Sequence, residues 1–424
     1  MKLDVQVFLE TNSLKSLSEQ YGIKSSACVG DRFFSLNYDQ ILSKPGLLTN
    51  DCRGLVLAVD SPLTDAQING ERFIERFVGD TKILAFPFKR FFNHGDFHGE
   101  EPNLEDKETV FYEKLDGTCI ILYFNDITNS WETATRAVPL ANKVIGGVLK
   151  PITFRELFEL ALEETTLFYN GRKIDFQEFT KELDKEYTYV FELTTPINRI
   201  VVQYDNFRVH LLGVRSRVTG QELHVESLTP PQWHKKVPSC PSHKLNDLKE
   251  LLEFVNSHKP TELEGIVVKD KSFRRAKIKS LAYVSYNKLK DSTSNNPRAL
   301  TELILFEKLD DVYPILDQYT QQLAKKLEFG VSEYIKEINK NFENLWYSVR
   351  DCQNPRKELA LLVQKNNWWV GAYMAMFHQT FESKGDKIAN FMDFIETKKS
   401  VDGTLPNSIL DTIIDNVNKH HPIV

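Results

Sequence analysis

The sequence predicts an α+β chain in which residues 1–289 form a domain of antiparallel sheets with flanking helices and residues 290–424 form an all-α domain. Three observations lead there. Short apolar or alternating runs dominate residues 30 to 290, two amphipathic helices interrupt them, and beyond Tyr286 the periodicity becomes that of helices. A length of 424 residues suits two or three domains, and 41% hydrophobic with 26% charged residues is the composition of a globular chain, not a disordered one.

The strands come first in the argument. RGLVLAVD (53–60), CIILYF (119–124) and HLLGV (210–214) are too short and too apolar for surface helices and read as buried strands. CIILYF and WETATR are joined by the turn-forming cluster NDITNS, which predicts a hairpin directly after EKLDGT. One helix starts at Thr153, with Thr153 and Glu156 spaced as a capping box and Phe154, Leu157, Phe158 and Ala161 on one side. Another starts near Asp175, with Phe176, Phe179 and Leu183 as its stripe. The polar run DSTSNNP (291–297) ends with Asn296 before Pro297, a linker and helix start. Beyond it Val331, Ile335, Ile338, Phe342, Leu345 and Val349 recur in steps of four and three, and RKELALLVQKNNWWVGAYMAMFHQTF and the segments 387–397 and 406–418 continue the pattern.

Composition also limits function. With 53 basic and 59 acidic residues the formal charge is −6, so a nucleic-acid partner would need a local basic surface. The cysteines Cys28, Cys52, Cys119, Cys240 and Cys352 are odd in number and contain no CxxC pair. That argues against a disulfide framework and structural zinc, and for a reducing, intracellular, cytoplasmic location. The N-terminus lacks a sustained apolar run and no stretch of about 18 apolar residues occurs, so neither signal peptide nor membrane span is expected. A monomer is expected.

Four segments carry chemistry. Glu113-Lys114-Leu115-Asp116-Gly117-Thr118 places a lysine at the mouth of a hairpin, although Asp-Gly also suits a plain surface turn. Glu264-Gly265-Ile266-Val267-Val268 is followed by Arg275-Ala276-Lys277-Ile278-Lys279, where a period of two puts Lys277 and Lys279 on one face and Ile278 on the other. The plain alternative is an edge strand guarded by lysines. Phe191 to Val201 sets Glu192 in an otherwise apolar strand, which requires a ligand or an internal partner such as Arg199. Cys52-Arg53-Gly54 and the run Phe86 to Asp96 interleave basic and aromatic residues, a pattern suited to stacking on bases and contacting phosphates or to simple core packing.

In order and spacing these segments resemble the motifs of the covalent nucleotidyltransferases, and within them the bacteriophage RNA ligase 1 family. EKLDG resembles its nucleophile motif, FELTTPINRIVVQY its FExxxPxNRIV motif, EGIVV its EG motif and KIKSLAY its KxK motif with a following tyrosine. CRG and KRFFNHGD resemble two upstream segments shared with fungal tRNA ligases. Arg90 and Arg136 stand where the family often has lysine, and the upstream aromatic corresponds to Leu36 or Tyr38.

The resemblance implies a nucleotidyltransferase domain at residues 1–289 and a helical domain at 290–424 that selects RNA, with tRNA as the candidate. It implies an ATP-dependent RNA ligase acting in RNA or tRNA repair on 5′-phosphate and 3′-hydroxyl ends through lysyl-AMP and RNA-adenylate. Lys114 would be the nucleophile, Glu264 a ligand of Mg²⁺ or Mn²⁺, and Glu192 the partner of the ribose hydroxyl. Arg53, Arg90, Phe92, Asp116, Gly117, Arg136, Lys277, Lys279 and Tyr283 would bind the nucleotide. The nucleophile must be a neutral amine, and Lys277, Lys279 and Arg53 are expected to supply a cationic field that favours it. The alternatives are a fungal-type sealing domain that demands a 2′-phosphate and a catalytically silent RNA-binding adaptor. His94 and His98 stand four apart but in a glycine-containing loop, so metal binding there is not expected. Trp368, Trp369 and Met374 are expected in a core.

Overall fold

The computed structural model describes residues 1–27, 32–39, 42–61, 79–96, 98–142, 144–145, 151–198, 200–225, 237–291, 296–313, 316–383, 387–400 and 404–420. It divides into two compact units, one of Met1–Leu252 with Thr261–Ile278, the other of Glu253–Pro260 with Lys279–Val424. The sequence boundary at 289/290 therefore falls inside the second unit.

The first unit holds three main sheets. β1 (Ile23–Ser26), β2 (Phe33–Tyr38), β3 (Arg53–Val59) and β4 (Thr81–Ala85) form an antiparallel meander. Every residue of β3 is buried, as the unbroken apolar run RGLVLAV requires. Three helices that the sequence reading missed, α1 (Asp4–Thr11), α2 (Leu14–Tyr21) and α3 (Leu47–Asp51), accompany this sheet. They are short, and their apolar residues Val5, Leu9, Leu14 and Leu17 find a core only with Phe34, Leu55 and Leu57.

Next in the chain come β5 (Phe92–Asn93), β6 (Val110–Glu113), β7 (Thr118–Asn125), β8 (Ser130–Thr135), β9 (Val144–Ile145), β10 (Ile152–Thr153), β11 (Tyr187–Thr194), β12 (Arg208–Ser216) and β13 (Glu222–Leu223). β7 and β8 are the predicted hairpin, with Asn129 in the left-handed conformation at its turn. The second sheet has the order β13-β12-β11-β7-β8. One face is covered by α4 (Phe154–Asn170) and α5 (Phe176–Lys181), through Leu157, Phe158, Ala161 and Phe179 against Ile120, Leu122, Phe191 and Val209. The capping box of Thr153 and Glu156 is formed, and Asp175 caps α5. α5 stops at Lys181, so Leu183 joins the core from beyond the helix. The other face meets the first sheet through Ile121, Tyr123 and Ala134 against Val56, Leu84 and Ala85.

The third sheet, ordered β14-β6-β15-β16-β5, contains β14 (Ser242–His243), β15 (Gly265–Lys269) and β16 (Arg275–Lys279). β16 and β5 are parallel, a departure from the all-antiparallel expectation that the long intervening chain permits. α6 (Leu248–Asn256) precedes β15 and was also missed.

The second unit is helical: α7 (Leu281–Asp291), α8 (Pro297–Leu305), α9 (Leu309–Val312), α10 (Gln318–Val349), α11 (Pro355–Lys365), α12 (Val370–Glu382), α13 (Phe391–Glu396) and α14 (Asn407–His420). Asn296 caps α8 with Pro297 in its first turn, as read from DSTSNNP, of which residues 292–295 lie outside the described residues. The stripe Val331, Ile338, Phe342 and Val349 of α10 packs with Leu359, Met376 and Phe394 in one core. RKELALLVQKNNWWVGAYMAMFHQTF forms two helices and not one, because Asn367 turns left-handed between α11 and α12. Trp368 then stacks on Tyr373, and Trp368, Trp369 and Met374 pack on the core as expected. Among the described residues no helix is long and apolar enough to cross a membrane.

Candidate active site

The EKLDG segment is held between two sheets. β6 ends at Glu113, and the Lys114 N–H donates to Gly265 O at 2.8 Å, tying the lysine to the start of β15. Residue 264, just before β15, is buried, and its carboxylate meets Lys114: Nζ to Oε1 is 2.8 Å. On the other side the Gly117 N–H donates to Glu192 Oε1 at 3.1 Å, and Asn198 Nδ2 donates to Thr118 Oγ1 at 2.6 Å. The sequence motifs EKLDG, EG and FELTTPIN thus converge through hydrogen bonds.

Asp116 and Gly117 act on the backbone. The buried Asp116 carboxylate accepts the N–H groups of Val201 and Val202 at 2.7 and 2.8 Å, while its own N–H donates to Tyr204 Oη. This places Asp116 as an anchor between the EKLDG loop and the chain after FELTTPIN. A Cβ at Gly117 would fall well inside van der Waals contact distance of Leu193 O, so only glycine permits this approach. Arg199, the internal partner considered for Glu192, lies outside the described residues.

The field at Lys114 reverses the expectation of surrounding cations. Burial alone would lower its pKa, but Glu264, Glu192 and Asp116 outweigh burial and hold the ammonium above its ordinary 10.5. Sequence reading named the cations and could not see that carboxylates from separate strands meet Lys114. Glu192 is pushed up to about 7 by burial, against the pull of Lys114, with Glu264 adding to the rise.

Other cations line the same cleft. Arg53, Phe88, Phe91, Lys114, Glu192 and Arg275 all face this space. The Arg53 guanidinium lies 4.5 Å from the Phe88 centroid and 5.8 Å from that of Phe91, and Lys277 Nζ is also 5.8 Å from Phe91. In β16 Ala276 and Ile278 are buried and Arg275, Lys277 and Lys279 half-buried, the predicted alternation. The basic and aromatic residues of the upstream segments are therefore lining as well as core.

The other candidates are dispersed. Arg90 is packed on Tyr38 and Phe92, at 4.2 and 4.9 Å, and donates to Ser43 O. Leu36 is fully buried, so Tyr38 is the aromatic at that position which meets a cation. Arg136 is half-buried, and together with Arg53 it acts on the Cys119 thiol, whose pKa burial nevertheless raises. Lys279 and Tyr283 belong to the second unit and lie 5.4 Å apart. His94 pairs with Glu101, and among the described residues no group of three or more metal-type side chains occurs.

A divalent cation that keeps several waters and takes one or two carboxylates with substrate phosphates fits this donor set, because Glu264 and Glu192 both surround Lys114. Reading from sequence missed Glu222, Gly213 and Arg275 as site components. Glu222 sits in a two-residue edge strand with no motif around it, so only the third dimension exposes it.

A model of the RNA ligase family, of the bacteriophage T4 ligase 1 type, matches residues 51–290. A protein of Autographa californica nuclear polyhedrosis virus, whose name assigns it as a bifunctional polynucleotide kinase/RNA ligase, is 25% identical over 425 residues, covering 96% of this chain and 56% of that protein. The chain thus spans little more than half the length of that relative. An RNA ligase of Rhodothermus phage RM378 is 25% identical over 332 residues, covering 65% of this chain and 72% of the phage protein. Among solved structures, an archaeal ATP-dependent RNA ligase (form 2) aligns over 75% of each chain at 14% identity with a TM-score of 0.41. A lysine-to-alanine variant of the Naegleria gruberi RNA ligase with ATP and Mn aligns over 64% of this chain and 94% of that one at 12% identity and 0.32. These superpositions are too loose to bear on the site. The family match, by contrast, covers more than half of the chain and contains all four motif segments: the chain belongs to the RNA ligase family of the T4 RNA ligase 1 type.

Proposed function

We propose that the protein is an ATP-dependent RNA ligase that joins an RNA 5′-phosphate to a 3′-hydroxyl, with Lys114 as its nucleophile. The observation that carries this reading is a half-buried lysine paired with the buried Glu264 at 2.8 Å in a cleft that Arg53 and Arg275 also line. In the first step the Lys114 amine, having given up its ammonium proton, bonds to the α-phosphorus of ATP; the α–β phosphoanhydride bond breaks and pyrophosphate leaves. In the second, an oxygen of the RNA 5′-phosphate takes AMP from Lys114. In the third, the RNA 3′-hydroxyl attacks that activated phosphate, loses its proton and releases AMP.

Glu264 and Glu192 hold Lys114 in place and protonated before substrate enters. They would also hold Mg²⁺ or Mn²⁺, which when bound offsets negative charge on the phosphate oxygens and weakens the carboxylate field on the amine. Arg53 and Lys277 would receive the phosphates, while Asp116 and Gly117 keep the loop in register with β11. The deciding experiment is incubation with α-labelled ATP and Mg²⁺, followed by peptide mapping. Acid-labile label at Lys114 is expected; label that persists in Lys114→Ala would overturn the mechanism.

We infer further that residues 1–289 perform the steps on ATP and that residues 290–424 select the RNA, with a broken tRNA as one candidate. Support comes from the position of the motifs before residue 290 and from the separate core of the helical unit. Competition between a nicked tRNA and an unstructured RNA with the same ends tests it in the full chain and in one ending at Leu289. Equal preference in both would place selection in the first region.

A further inference from the structure

We propose that Glu222 is a positioning residue for Arg53, acting through Arg275 and the ring of Phe88. The inference rests on the reading of the cleft as a nucleotide site and names the device that aims its arginine.

Arg53 and Arg275 share one aromatic ring: their guanidinium carbons lie 4.5 and 4.6 Å from the Phe88 centroid. Two like charges that share one ring, and so stand no more than about 9 Å apart, repel unless one is neutralised. Glu222 neutralises Arg275 with both carboxylate oxygens, Oε2 accepting from Nη1 at 2.9 Å and Oε1 accepting from Nη2 in a shorter contact. A further bond from Arg275 Nη1 to Phe273 O at 3.1 Å completes the lock. The side chains of this pair are 7% and 9% exposed, so water does little to screen them. Arg53 is different. Among the described residues it has no carboxylate within ion-pair distance, and its contacts are the rings and Cys119 Sγ at 3.9 Å. The cleft therefore has one guanidinium locked in an ion pair and one that Glu192 feels only at longer range, with Phe88 between them in the chain of contacts.

Gly213 supplies an independent sign of this arrangement. Glycine weakens a strand interior and marks close approach. Here a Cβ would stand 3.2 Å from Glu222 Oε1, 3.3 Å from Phe88 Cδ1 and 3.6 Å from Arg275 Nη2. One missing methyl group makes room for three of the four side chains.

The test uses the full chain and single-turnover label transfer from α-labelled ATP, with ATP titrated. In Glu222→Gln we expect the half-saturating ATP concentration to rise about tenfold while the maximal rate stays within about threefold, because Arg53 is misaimed and the nucleophile is untouched. Glu222→Asp should recover part of the loss. Gly213→Ala should give the same shift without changing any charge, and it decides the matter if Glu222→Gln fails to fold by its melting curve. In an Arg53→Ala background neither change should weaken ATP use further. Parent-like ATP dependence in the variants, or losses that multiply with that of Arg53→Ala, would overturn the proposal. A parent protein that takes no label at all would instead overturn the reading of the cleft, and the proposal with it.

Discussion

The two sides of the cleft handle charge in opposite ways. On one side Lys114 is enclosed by Glu264 and Glu192, so the cation is balanced inside the protein before any ligand arrives. On the other, Arg53 and Lys277 lie beside the rings of Phe88 and Phe91, where aromatic faces meet the cations. The difference teaches that one lysine is held charged against carboxylates while other cations rest on aromatic rings, so the two can be perturbed separately.

The strongest way to break this comparison is at Lys114. Lys114→Met should abolish covalent label, a loss of at least about 10³ in adduct formation, as expected when a nucleophile is removed. The variant keeps Arg53 and Lys277, so on the proposed reading ATP should protect it against thermal unfolding. Loss of protection together with loss of label would mean that the two sides are not separable.

A smaller effect is expected on the cationic side. Lys277→Ala should slow adduct formation by roughly 10², the usual scale for a stabiliser at a reacting phosphate. A rate within a factor of two of the parent would return β16 to the role of a guarded edge strand.

The acidic side predicts a pH profile. Because the carboxylates hold the Lys114 ammonium above its ordinary value, the fraction of neutral amine grows with every unit of pH through the neutral range. Single-turnover adduct formation should rise by about tenfold per unit between pH 6 and 8. A plateau at pH 7 would show that ligand binding has already removed the carboxylate field.

The least of these effects concerns stability. The folded-state pKa of Glu192 is raised from 4.5 to about 7, so its charge costs nothing below the lower value and destabilises increasingly as pH rises through that window. Glu192→Gln should therefore gain stability relative to the parent on going from pH 5 to pH 8, by roughly 1–3 kcal/mol in paired denaturant melts. An unchanged difference at the two pH values would show that Glu192 is not raised. Asp116→Ala offers a control of opposite sign, costing roughly 2 kcal/mol at both pH values by leaving two buried N–H groups unmet.

Much of the architecture was legible in order along the chain. The capping box at Thr153, the hairpin across NDITNS and the α10 stripe each depend on residues within a few positions of one another, and all three formed as read. The helices α1, α2 and α3 were not legible, since eight residues or fewer carry too little periodicity and depend on a sheet that is contributed later in the chain. The break at Asn367 escaped for a related reason: asparagine tolerates the left-handed conformation, but packing of Trp368 on Tyr373 decides that it occurs.

For the site, the amino-acid sequence by itself determined which chemical groups are available, because motif spacing is a property of strands and turns that local forces specify. Lys114, Glu192, Glu264 and the alternation of β16 belong to that class. Only the tertiary structure decided the signs of the fields. Whether Lys114 meets carboxylates or cations, whether Asp116 faces a ligand or the Val201 and Val202 amides, and whether Arg275 is neutralised by Glu222 all depend on side chains from separate strands. Electrostatic energy varies with distance and burial, and residues dozens of positions apart acquire a distance only when the sheets pack.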